Sequence, residues 1–272
     1  MAATSNSVVT GIGGGGAVAD EINDGETAAA PSQNAVFDAL ALKQSASDPT
    51  INPDRAYFFQ TDFTDDDRAT LTAASNAGGG AGAAVSSSST GVNSTENCVG
   101  VMDLITGSGT TGRAGLISAG NLALGGVALK FGARVALSSV SNGTDTYTSY
   151  LGFIDNVGAG DQTDGVYFRY THGTNSGRWE GVVADAGSRT ASDAGVTPVD
   201  TENAVFEIEV NAAGTSAAFY INGTLRTTIS TGLPGAGDLF VYGAKIEKSA
   251  GTNSRTMSLD WVYLKCTKST SR

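Results

Sequence analysis

The side chains able to do chemistry in this chain are few, and their types narrow what that chemistry could be. A single histidine, His172, excludes a histidine pair and a His-rich metal site. Carboxylates are more plentiful, but hydrolysing a glycosidic bond requires two of them facing one substrate, about 5–5.5 Å apart in a retaining enzyme. Glu207 and Glu209 share one face of an alternating run. On the wet side of a strand such a pair reads as solvation, so no enzymatic activity is expected. Asp62, Asp65, Asp66 and Asp67 could offer oxygen ligands to a hard cation, yet their spacing fits no EF-hand loop. They read as a solvated acidic turn, and no metal is expected. Gly107-Ser108-Gly109-Thr110-Thr111-Gly112 has the spacing of a dinucleotide-binding loop and follows the strand-like run 99–105. That motif also needs a helix directly after it and an acid about 20 residues on. Ala114-Gly115 and Ala119-Gly120 break any helix, and no acid lies between Asp103 and Asp145, so the run reads as a turn and no cofactor is expected.

Sugar recognition uses an exposed aromatic ring beside amide, hydroxyl and charged groups, because a pyranose presents an apolar face rimmed with hydroxyls. The densest such cluster is Tyr167-Phe168-Arg169-Tyr170-Thr171-His172, followed by Asn175, Arg178 and Trp179. Trp179 and alternate residues of 166–170 are expected in the core, which leaves Tyr170, His172 and Arg178 as the expected ligand-binding surface. Cys98 and Cys266 match no zinc or redox spacing and read as two separate reduced thiols. Of the Asn-x-Ser/Thr matches at Asn93, Asn142 and Asn222, the last two precede glycine and read as turn residues.

Composition sets the frame for these residues. The chain has 37 Gly in 272 residues, about twice ordinary usage, and its 16% charged residues fall well below the usual quarter. This is an all-β, turn-rich composition. A formal net charge of −11 without any basic run argues against a nucleic-acid partner. The first residues show neither the positive nor the apolar region of a secretory signal, and no apolar stretch reaches membrane-spanning length, so no membrane insertion is expected.

Three segments must position the chemistry. Residues 1–30, with Gly13 to Gly16, cannot bury enough apolar area to fold alone and read as an extended arm; Val8, Val9, Ile12, Val18 and Ile22 are its candidate anchoring contacts. Residues 31–55 hold a short helix over 32–43 and a linker marked by Asp48-Pro49 and Asn52-Pro53. Val36, Phe37 and Leu40 fall at helical spacing, and a helix this short needs a partner surface, either the β domain or copies of itself. From Tyr57 the period becomes two. Strands are expected at 56–63, 99–105, 114–118, 126–138, 147–155, 165–171, 178–185, 204–210, 216–221, 225–229, 238–246 and 256–265, with a long loop at 74–95. In 205–210, Phe206, Ile208 and Val210 should face inward and Glu207 and Glu209 outward. A three-residue Asn222-Gly223-Thr224 turn is expected, pairing Ile221 with Leu225 and Phe219 with Thr227.

The run from Phe206 to Leu225 resembles the late hairpin of concanavalin-like lectin and laminin-G-like jelly rolls. The 247–255 turn, the closing strand ending Leu259-Asp260-Trp261-Val262-Tyr263-Leu264 and the run Gly112 to Ser118 are similar to domains of bacteriophage virion proteins. Ala30-Pro31-Ser32-Gln33-Asn34-Ala35-Val36-Phe37-Asp38-Ala39-Leu40 resembles the segment ahead of binding domains in phage tail-fibre and appendage proteins. The Glu-x-Asp-x-x-Glu pattern of the related glucanases and the legume-lectin metal motif are both missing. The resemblance implies an antiparallel jelly-roll sandwich over 56–272 behind an arm and a short helix. It further implies a virion protein assembled in the host cytoplasm, a tail appendage, head fibre or decoration. Its partners would be other phage virion proteins, sister copies in a homotrimer and a host-surface glycan. A dedicated glycan-binding lectin and a glycan depolymerase are the competing readings.

Overall fold

A computed structural model describes residues 56–61, 63, 71–76, 83–88 and 100–268. They form fifteen strands: β1 (Ala56–Thr61), β2 (Leu71–Asn76), β3 (Ala84–Ser88), β4 (Val101–Ile105), β5 (Gly112–Ser118), β6 (Val127–Leu137), β7 (Thr146–Ile154), β8 (Gly165–Thr171), β9 (Glu180–Asp185), β10 (Ser188–Asp193), β11 (Ala204–Val210), β12 (Ala217–Ile221), β13 (Thr224–Ile229), β14 (Val241–Ala250) and β15 (Thr256–Lys268). An eight-stranded sheet runs β13-β12-β11-β6-β15-β4-β3, with β1 also against β15, and a seven-stranded sheet runs β10-β9-β8-β7-β14-β5-β2. Neighbouring strands pair antiparallel throughout. No helix among the described residues is long and apolar enough to cross a membrane.

Period-two patterning puts one apolar set from each sheet into a shared interior. Phe206, Ile208 and Val210 are buried as the alternation requires, opposite Phe168 and Trp179. Phe168 is gripped edge-on by Phe206 and Phe219, at 5.1 Å and 5.2 Å between ring centroids, and Trp179 packs 4.7 Å from Phe206. Edge-to-face contacts of this kind add to area burial because the positive ring edge meets the negative ring face.

The seven-stranded sheet is buried on its outer face as well. Tyr150, Ile154, Tyr167, Val182, Ala184 and Val241 form a second cluster there, joined by Val157 from the β7–β8 connection, which folds over them. At one margin of the sandwich the two sheets are laced together by a 2.7 Å hydrogen bond between the Ser192 and Thr227 hydroxyls.

Three expectations need correction. Residues 74–95 are no continuous loop: the tail of β2 and all of β3 lie within them. Strand β10 was not expected, because Ser188-Arg189-Thr190-Ala191-Ser192-Asp193 carries no apolar alternation; it is an exposed edge strand paired to β9 and needs none. The β12–β13 turn is the two-residue Asn222-Gly223, with Ile221 opposite Thr224 and Tyr220 opposite Leu225. A shift after Phe219 then restores the Phe219–Thr227 pair, so Phe219 stays inside while Leu225 is 53% exposed. Asn222 and Gly223 both take positive φ, which asparagine and glycine tolerate best. The 1–30 arm, the 31–55 helix and linker, and the aspartates 62, 65, 66 and 67 lie outside the described residues.

Candidate ligand-binding face

The two outer faces of the sandwich differ in what they leave open. On the seven-stranded sheet, the β7–β8 connection is fastened down by ions. The Lys245 ammonium, wholly buried, donates to the Gly158 and Gly160 carbonyls at 2.9 Å and 2.5 Å, lies 3.6 Å from Glu247 and sits 4.3 Å above the Tyr150 ring. Burial lowers the pKa of Lys245, and Glu247 and Asp161 work against that shift. Arg169 is clamped between Asp161 and Glu180, Arg189 adds a second cation to Asp161, and the Tyr167 hydroxyl donates to Asp161 at 2.7 Å. Burial alone would disfavour the Arg169 charge, but the two carboxylates outweigh it and raise its pKa. Carboxylates spent on arginines in this way make a closed structural network.

The eight-stranded sheet keeps an open outer face. Residues alternating outward place Lys130, Gly132 and Arg134 of β6 beside Glu207 and Glu209 of β11 on one flank, and beside Tyr263 and Lys265 of β15 on the other. Tyr220 follows Glu207, and Phe58 lies beyond Lys265. A bulge at Asp260 decides what β15 offers. Before it Met257 and Leu259 are buried; after it Val262 and Leu264 are buried, so Trp261 and Tyr263 turn outward. One extra residue has moved the inward set from odd to even positions. Asp260 itself binds Arg134 at 2.7 Å, across from Trp261.

The Tyr263 ring lies low against the sheet. The Tyr263 ring rests over Gly132, where a Cβ would stand only 2.2 Å from its Cε1, so glycine is required there by close approach. Trp261 and Tyr263 are stacked within 17° at 5.7 Å between centroids, and Phe58 continues the line 6.0 Å from Tyr263. The Tyr263 hydroxyl donates to Glu207 at 2.6 Å, while Lys130 reaches Glu207 and Glu209 at 2.9 Å and 3.0 Å. Burial would raise the Glu207 pKa, but the Tyr263 hydroxyl and the Lys130 ammonium hold it below the ordinary carboxylate value. Next to these residues runs a trough of about 480 Å³ with Ala128 and Ala218 among its walls and Lys130, Lys265, Glu209, Ser216 and Thr267 as its polar groups.

Of the residues the sequence singled out for ligand contact, Tyr170 must be withdrawn. It is 2% exposed, its ring packs on Tyr147 and Trp179, and its hydroxyl accepts from the Ser141 amide, so it belongs to the core. Strand parity is the reason: Tyr170 shares the inward face with Phe168. His172 and Arg178 remain half-buried in the β8–β9 connection, where Arg178 is closed onto Asp193 at 2.7 Å and Asn175 binds the same carboxylate. Trp179 is in the core, as expected. The candidate anchoring residues 8, 9, 12, 18 and 22 and the helix residues 36, 37 and 40 lie outside the described residues. The Gly107–Gly112 run is a turn followed by β5, and the Gly107 carbonyl accepts the buried Lys248 ammonium at 2.6 Å. Among the described residues, Asp164, Asp185 and Asp238 bring carboxylate oxygens close enough to share a cation, although exposed acids gather in this way without one. The sequence pattern Trp261-x-Tyr263-x-Lys265 is the signal for the open face, but its phase depends on the bulge, which local alternation does not mark.

Residues 97–260 match the family described as SO2946-like, C-terminal domain, which is more than half of the chain. The chain belongs to this SO2946-like family. In structure it is similar to the protein of unknown function SO2946 from Shewanella oneidensis MR-1, with a TM-score of 0.58 at 14% identity over 91% of this chain and 99% of that one. Peanut lectin bound to a nine-residue peptide matches with a TM-score of 0.55 at 10% identity, covering 79% of this chain and 99% of the lectin. Lectin I of Ulex europaeus in complex with the methyl glycoside of α-L-fucose gives a TM-score of 0.51 at 14% identity over 78% and 98%. No curated protein matches the chain in sequence. At these identities the SO2946-like chain shares the lectins' jelly-roll fold, and its surface chemistry must be read from its own residues.

Proposed function

We propose that this SO2946-like chain is a non-enzymatic component of a phage virion, a tail appendage, head fibre or decoration, whose jelly roll presents the open face of the eight-stranded sheet to a glycan on the host surface. The observation that carries the glycan part is the row of neighbouring rings, Phe58, Tyr263 and Trp261, beside paired carboxylate and ammonium groups. Flat aromatic rings match the apolar face of a pyranose, and charged groups next to them match its hydroxyls. The lectin-type fold supports the same reading, and so does the resemblance of residues 30–40 to segments ahead of phage binding domains. Residues 1–50 would attach to other virion proteins.

The depolymerase reading asks for a carboxylic acid that keeps its proton near neutrality. Glu207 is held below the ordinary carboxylate pKa and is spoken for by Tyr263 and Lys130, which favours binding over cleavage. A glycan array probed with the full chain and with Trp261→Ala tests the reading. Wild type should bind a defined set of glycans, the variant should lose them while keeping its fold, and no reducing sugar should be released. Equal binding by both proteins would sink this face as the site, and sugar release would sink the non-enzymatic assignment.

A further inference from the structure

We infer that the trough on the eight-stranded sheet selects a saccharide carrying a carboxylate, with Lys265 as the group that pairs with it. This rests on the glycan-binding reading above and adds the chemical class of the ligand. The register sets Lys265 directly opposite Lys130, two like charges on one face of an antiparallel pair. Such a pair is unfavourable unless each charge is answered. Lys130 is answered twice, by Glu207 and Glu209, whereas Lys265 has no carboxylate partner among the described residues. In a chain with 27 acidic and 16 basic residues, an ammonium with no carboxylate partner among the described residues, beside a cavity of about 480 Å³, is a charge available to a ligand.

The other groups suit the rest of such a sugar. Phe58 is paired next to Lys265 and offers a ring, 43% exposed, to an apolar sugar face. The small side chains of Ala128 and Ala218 leave room in the trough, while Glu209, Ser216 and Thr267 can exchange hydrogen bonds with hydroxyls. The molecule's net negative charge is no bar, because salt screens remote carboxylates over about 8 Å at physiological ionic strength, while a direct ammonium–carboxylate contact lies well inside that distance.

Two sources of carboxylate sugar are separated by one experiment. The full chain is titrated calorimetrically with oligogalacturonate and with sialyllactose, each beside its methyl ester and beside neutral cello-oligosaccharide, and the series is repeated with Lys265→Gln and Trp261→Ala. One of the two acids should bind, esterification and Lys265→Gln should each weaken it roughly tenfold, as loss of a charge-assisted hydrogen bond does, and the variant should melt as the wild type does. Ester and acid binding alike, or Lys265→Gln binding the acid unchanged, overturns the inference. If in addition Trp261→Ala abolishes binding, the glycan reading survives without the acid preference; if no glycan in the series or on the array binds, both fall.

Discussion

Glu207 shows how one residue's surroundings set its role. Its folded pKa lies below the ordinary value because Tyr263 and Lys130 favour the ionised form more than burial opposes it. The unfolded chain therefore binds this proton more readily than the folded protein. The interaction adds stability that is fully present above the unfolded pKa of about 4.3 and is lost as the pH falls through the lower folded value. Glu207→Gln should accordingly melt below wild type at neutral pH, with the gap closing as the pH falls below the ordinary carboxylate value. Thermal melts across that range check this, and a gap that widened on acidification would contradict it. The same residue, read from the sequence, was one of two acids on a wet strand face. That placement was right, but its partners come from β6 and β15, which are distant in the chain.

At the scale of elements, the bulge in β15 and the β7–β8 connection each settle which surface is presented. Deleting Asp260 would carry Trp261 and Tyr263 into the core and push Val262 and Leu264 out, so that protein should lose cooperative unfolding. Asp260→Ala, which keeps the extra residue and removes the Arg134 contact, should fold and cost about 1–3 kcal/mol. Near-ultraviolet circular dichroism and denaturant melts of the two variants distinguish register from charge; comparable damage in both would deny the bulge its role. In the β7–β8 connection, Lys245→Met would leave the Gly158 and Gly160 carbonyls without their buried donor. The expected cost is about 1–3 kcal/mol, with faster amide hydrogen exchange confined to residues 155–164. Unchanged exchange there would show that the Asp161 network and Val157 packing hold the connection without Lys245.

For the whole molecule, the described residues of the sandwich from β1 to β15 form a core of their own. On the virion role proposed above, deleting residues 2–30 should leave its melting temperature within a few degrees of wild type while abolishing incorporation into virions. Normal occupancy of the truncated protein on particles would move the anchor into the jelly roll. The full chain should sediment as a homotrimer through Val36, Phe37 and Leu40, and a monomer at micromolar concentration by light scattering would refute that.

Much of the architecture was legible in the sequence because period-two alternation is a local property. Phe206, Ile208 and Val210 announced their inward face, Trp179 its place in the core, and the run 204–210 its strand boundaries. That Asn222-Gly223 would turn was legible for the same reason, since positive φ is a constraint on single residues, but the length of that turn was not. What stayed hidden depends on partners far along the chain. The inward facing of Tyr170 follows from the parity of β8 against the opposite sheet, and the outward facing of Trp261 follows from one inserted residue that no local pattern marks. Which outer face stays open was likewise decided only in three dimensions. It took the buried Lys245 ammonium, reaching carbonyls more than eighty residues away, to close one sheet and leave the other open.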